Sequence, residues 1–229
     1  MQVIRPNCRA QFSAEDIDFI VETLGKKGRD CLIDLLKDEQ SRDLILDDEL
    51  LFRAVLEHPE CLRISMHLYF YILVRNVFRG SGLKEREVAD YVAEVLAEFS
   101  QTHRSQVRVN RQGATTDYFV DMLAALQTAD DITSFFIRAH MGNYSLFLSG
   151  VFPDCIRMRS ERRGAPDIRY YEEIGRSSFR AASDHRLAYK YDVAEIFNTL
   201  SERFQTTRRA LNDLGDRLIS LEPPPTIGM

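Results

Sequence analysis

The sequence predicts an all-α fold: a single compact multi-helix bundle of about nine helices, with little or no strand. Three observations carry that expectation. Apolar residues recur at helical spacing along nearly the whole chain, strand-like alternation is almost absent, and the breaks between periodic stretches are short. The chain has 229 residues, 45% hydrophobic and 28% charged, which is the balance of a folded protein able to bury a core without staples. No period of roughly 20 to 50 residues repeats, so a solenoid is not expected.

The elements follow in order. Phe12-Ser13-Ala14-Glu15-Asp16-Ile17 reads as a helix start, with Ser13 as N-cap, acids in the first turn and Phe12 stapled on Ile17. That helix runs to Leu24, where Gly25 can cap it. A second helix spans about Arg29 to Asp38, with Cys31, Leu32, Leu35 and Leu36 on one face, and a third runs from about Asp48 to Glu57 before His58-Pro59. Leu62 to Gly80 is a fourth, stopped by Gly80-Ser81-Gly82. Leu83 to Phe99 is the clearest amphipathic helix, with Leu83, Val88, Val92, Val95, Leu96 and Phe99 on one stripe and acids with Lys84 opposite.

Residues 101 to 114 lose the period and read as an exposed connection, with at most a short strand in SQVRVN. Helices resume over Thr116 to Gln127 and Asp131 to Val151. RMRSERRGAP is a basic break whose Pro166 suits the first turn of the next helix. Asp192 and Glu195 form an expected capping box, with Tyr191 stapled on Ile196, and helices over about 192–204 and 206–221 finish the chain. One domain is expected over 1–221 because no flexible linker appears, with 101–114 as the best sub-boundary; 222–229, EPPPTIGM, reads as a flexible proline-rich tail.

The N-terminus lacks the apolar core of a secretory signal, and no uncharged apolar run of about 18 residues occurs, so a cytoplasmic protein without membrane contact is expected. Cys8, Cys31, Cys61 and Cys155 are widely spaced without a CxxC pair, which reads as core residues rather than disulfides or a zinc module. Charge is uneven: residues 1 to 100 hold 19 acids against 13 bases, and the remainder 16 against 17. Of 30 basic residues 25 are arginine, whose planar fork favours bidentate pairing with carboxylate or phosphate.

Familiar chemistry is missing from the pattern. No histidine has an acid or cysteine three or four residues before it, which removes the Glu-x-x-His signature of di-metal bundles, and no metal ligands are expected. Walker-type loops, GxGxxG and GxSxG are also absent. No catalytic residue and no cofactor is therefore assigned. LKEREVADYV resembles the first helix of a helix-turn-helix, but its helix continues to Phe99 and irregular sequence follows where a recognition helix should stand.

Two helices carry ordered polar rows. Arg63, His67, Tyr71 and Arg75 recur every four residues beside an apolar face. In TSFFIRAHMGNYSLFLSG, Ser134, Arg138, Gly142, Ser145 and Ser149 share a face whose small residues would admit another helix or a ligand. His and Tyr recur at i and i+4 in His67–Tyr71, His140–Tyr144 and His185–Tyr189. On the ordinary reading Arg63 and Arg75 snorkel from the ends of a core helix and Arg138 pairs with Asp117, Asp121 or Glu173. On the sharper reading Arg63, His67, Tyr71, Arg75, Arg138, His140 and Tyr144 line an inter-helix pocket for a small anion.

The leading functional expectation is a non-catalytic interaction or regulatory protein acting through protein–protein contacts, with itself as a homo-oligomer or with another protein. The anion pocket is the first alternative. A weak nucleic-acid binder using Arg104, Arg108, Arg111, Arg157, Arg159, Arg162 and Arg163 is the second, disfavoured by the acidic balance and the lack of tryptophan.

Overall fold

Ser13 does cap the first long helix. In a computed structural model, which describes the backbone of residues 3–25, 29–57, 63–106 and 114–220 and most side chains within them, the Ser13 hydroxyl accepts from the Asp16 N–H. The Asp16 carboxylate accepts from the Ser13 N–H at 2.8 Å, closing a capping box at the start of α1 (Ala14–Leu24). The same carboxylate accepts from the Ser65 N–H at 2.7 Å and its hydroxyl at 2.6 Å. Ser65 is the N-cap of α5 (Met66–Gly80). One buried negative charge thus serves two positive helix N-termini.

Replacing Asp16 by alanine would leave the donors of the half-buried Ser65 without their acceptor. The expected loss is about 3 kcal/mol, from a lost cap and lost charge-assisted bonds; Asp16→Asn, which retains acceptor capacity, should lose less. Urea unfolding checks this as a lower midpoint at unchanged slope.

Between these helices the chain forms α2 (Arg29–Lys37), α3 (Glu39–Leu46) and α4 (Glu49–Glu57). The pattern does not announce α3, because the break before it is one residue: the Asp38 side chain accepts from the Ser41 N–H and starts a new helix where the second was expected to end. A 3-10 turn, Cys8–Gln11, precedes α1 and lies against α5 and α6 (Arg86–Gln106). Asp90, assigned by periodicity to the polar side of α6, is buried there and accepts from the Arg9 N–H and Nε.

The second half is built around α8 (Asp131–Val151), buried without interruption from Met141 to Gly150. A helix apolar on all sides must be wrapped by others, and α8 is packed by α7 (Ala114–Thr128), α10 (Ile168–Ser183), α13 (Phe204–Ser220) and α6. The small-residue face expected on α8 is the face of closest approach. A methyl group at Gly142 would lie 2.7 Å from the Phe179 ring, and one at Gly175 of α10 only 2.3 Å from Phe204 and 3.0 Å from Ser145. α5 joins the halves by packing on both α6 and α13.

Thirteen α-helices are present among the described residues, and none of these residues is in a strand. The all-α expectation holds, with more helices than the about nine anticipated. Besides α3, the helices that the periodicity did not place are α9 (Pro153–Arg163) and the five-residue α11 (Arg186–Lys190). α9 is polar on nearly every side, so no apolar period reveals it; Pro153 opens it and Gly164, at φ 61°, closes it. The Asp192–Glu195 capping box does not form. Asp192 takes a left-handed φ of 56° in the turn after α11, and Val193 is the N-cap of α12 (Ala194–Glu202), without a side-chain cap. α11 is too short to show a period, and an aspartate tolerates the left-handed turn its end requires. Of the connection expected at 101–114, residues 101–106 instead continue α6 and Ala114 begins α7; residues 107–113, with most of the possible strand at 105–110, and the tail at 222–229 lie outside the described residues.

Candidate functional site

The polar row of the fourth expected helix is divided by the fold. Arg63 lies before the Ser65 cap, off α5 and exposed. Arg75 is buried rather than snorkelling. Its Nε and Nη2 reach both carboxylate oxygens of Asp47, at 2.9 and 3.3 Å, while Nη1 donates to the Lys84 carbonyl at 2.8 Å. Asp47, in the α3–α4 link, also takes Arg86 Nη2 at 2.6 Å, and its carbonyl takes Arg79 Nη1 at 2.8 Å. Asp43 extends the network to Arg9 at 2.7 Å and Arg86 at 3.4 Å. Burial opposes ionisation of Asp47, but the Arg75 hydrogen bond and the charges of Arg75, Arg86 and Arg79 outweigh it and hold the carboxyl below its ordinary range.

Tyr71 is fully buried beside this network, with the Arg9 guanidinium 5.7 Å from its ring centre. Burial pushes its hydroxyl pKa up to about 12. Asp90 shifts the other way from Asp47, because burial outweighs its bonds to Arg9 and the neighbouring Glu94 adds repulsion.

His67, in the first turn of α5, faces a different environment. Its Nε2 is 3.5 Å from Glu94 Oε2 of α6, and both residues line a cleft of about 380 Å³. Val3, Ile4, Arg5 and Asn7 of the N-terminal segment form its other side, with Gln11 and Glu98 completing the rim. Gln11 Nε2 donates to Glu94 Oε2 at 2.9 Å, so the amide and the imidazole converge on one carboxylate oxygen. The Glu98 pKa is raised by desolvation and by the charge of Glu94, one helical turn away. Sequence reading had no means of finding this site: Glu94 and Glu98 look like solvated acids on the polar side of a helix, and no pattern announces that residues 3–11 fold over them.

Arg138, half-buried on α8, forms no ion pair among the described residues, and none with Asp121 or Glu173; the side chain of the third expected partner, Asp117, lies outside the described residues. His140 and Tyr144 stack nearly parallel, 5° apart, and both rings lie against Phe99 of α6. Burial lowers the His140 pKa, favouring the neutral ring. The candidate pocket residues are therefore not collected at one place: Arg75 is held by Asp47, His67 by Glu94, and His140 with Tyr144 by an aromatic stack.

His185 is the N-cap of α11; its Nδ1 accepts from the Leu187 N–H, and its Nε2 lies 3.0 Å from Asp131. Among the arginines of the nucleic-acid reading, Arg157, Arg159, Arg162 and Arg163 lie on helix α9 rather than in a loop, and Arg157 pairs with Asp154 at 3.1 Å. The Arg104 side chain and all of Arg108 and Arg111 are outside the described residues.

The described residues place no three His, Cys, Asp or Glu where they could share a metal ion. No described helix is long and apolar enough to cross a membrane.

The other surface feature is apolar. α7 buries Phe119 and Met122 against its neighbours, with Phe119 in ring contact with Tyr144 and Tyr171. Beside them Val120 is left 55% and Leu123 40% exposed, and Ile132, just past the turn into α8, 46% exposed. Val120, Leu123, Ala124 and Gln127, none of them charged, follow the i, i+3, i+4, i+7 spacing of one helix face, which the sequence continues one turn earlier with Asp117.

Comparisons of the chain with protein-family models, curated proteins and solved structures give no match.

Proposed function

We propose that this chain is a cytoplasmic, non-catalytic interaction protein that associates with copies of itself through the outer face of α7. The observation that supports the reading most is the uncharged apolar strip of Val120, Leu123 and Ala124 on a helix packed on its other side. Exposed apolar surface costs about 25 cal/mol per Å² relative to burial. An uncharged strip also suits a twofold contact, in which the same surface faces itself and a charge at the axis would meet its like. The cytoplasmic setting is supported by Cys8, Cys31 and Cys155, all free thiols.

The test is sedimentation equilibrium of the full chain and of a Val120→Glu/Leu123→Glu variant. The wild type should associate, and the variant should sediment as a monomer with its helical circular dichroism unchanged. A wild-type monomer at high concentration, or association that survives both glutamates, would refute the reading.

A further inference from the structure

The cleft beside His67 presents opposite charges that do not neutralise each other. Glu94 is fixed on one side: Gln11 donates to Oε2 at 2.9 Å, and His67 Nε2 stands 3.5 Å from the same oxygen. Arg5 lines the same cleft, with its guanidinium carbon 5.2 Å from the centre of the Tyr191 ring in a cation–π contact. Arg5 forms no ion pair among the described residues. Separated charges of opposite sign facing one cavity are complementary to a molecule carrying both.

We propose that this cleft binds a small zwitterion of the α-amino-acid class, with its ammonium at Glu94 and its carboxylate at Arg5. The guanidinium offers a planar two-donor fork suited to a carboxylate. Asn7 supplies a neutral polar group on the rim, and Val3 and Ile4 supply an apolar wall for a short hydrocarbon side chain. A volume of about 380 Å³ is at the small end of ligand sites. The raised pKa of Glu98, to which Glu94 contributes, adds to this: an arriving ammonium relieves repulsion already present in the free protein. This inference is independent of self-association through α7.

Calorimetric titration of the full chain with leucine tests it, against two matched probes that each keep one charge, isopentylamine and 4-methylpentanoate. Leucine should bind, and each single-charge probe should bind about tenfold more weakly or worse. Arg5→Gln and Glu94→Gln, checked for retained helicity, should each weaken leucine by a similar factor. Failure of leucine to bind, equal binding of the amine, or leucine affinity unaffected by Arg5→Gln would each overturn the proposal.

Discussion

Asp47→Ala should destabilise the protein by about 3–5 kcal/mol, because it leaves the buried Arg75 guanidinium without its counter-charge. Arg75 is 6% exposed and spends two of its donors on that carboxylate, and Arg86 spends a third. Asp47→Asn, which keeps an acceptor but not the charge, should fall between. The effect should also depend on pH. The folded-state pKa of Asp47 is depressed, so its contribution is complete above the unfolded carboxylate value of about 4 and is lost as pH falls through the lower folded value. Urea midpoints measured from neutral pH into this acid window should therefore decline less steeply in Asp47→Ala than in the wild type, once its constant loss is subtracted.

The second large effect is expected at Gly175. An alanine methyl there would sit 2.3 Å from the fully buried Phe204 ring, with Ser145 Cβ 3.0 Å away on the facing helix. Neither ring nor helix can yield cheaply inside a close-packed interior, so Gly175→Ala should cost about 3 kcal/mol. The cause is checked by coupling. Phe204→Leu alone should destabilise by opening a void, but combined with Gly175→Ala it should cost less than the sum of the two, since the shorter side chain admits the methyl. Additive losses would mean that the clash is not the reason for the glycine.

These two sites also show what the sequence could reveal. The small residues of α8 were legible as a surface of close approach, because Gly142, Ser145 and Ser149 fall on one helical face; that Phe179 and Phe204 fill the space was not, since they arrive from distant parts of the chain. Ser13 was legible as a cap because capping is local. The second role of its partner Asp16, across 49 residues to Ser65, was not. Asp43, Asp47 and Asp90 look like ordinary acids of a negatively charged half and become the fixed partners of Arg9, Arg75 and Arg86 only when α3, α5 and α6 meet. The expected arginine row failed to stay together for a local reason: Ser65 starts α5 two residues after Arg63.

The candidate sites were hidden for different reasons. The cleft needs the N-terminal segment to fold back over α6, a long-range event without a periodic signature. The α7 face was hidden by its own composition: apolar residues on both sides of the helix blur the period, and only the packing tells the buried Phe119 and Met122 from the exposed Val120 and Leu123.

Hydrogen–deuterium exchange across a range of protein concentrations tests most directly whether copies meet at α7. Amides of residues 119–128 should gain protection as concentration rises, while those of the central α8 segment 141–150, already buried within one chain, should not change. Protection at α7 that is independent of concentration, or a concentration-dependent gain confined to other helices, would contradict the account.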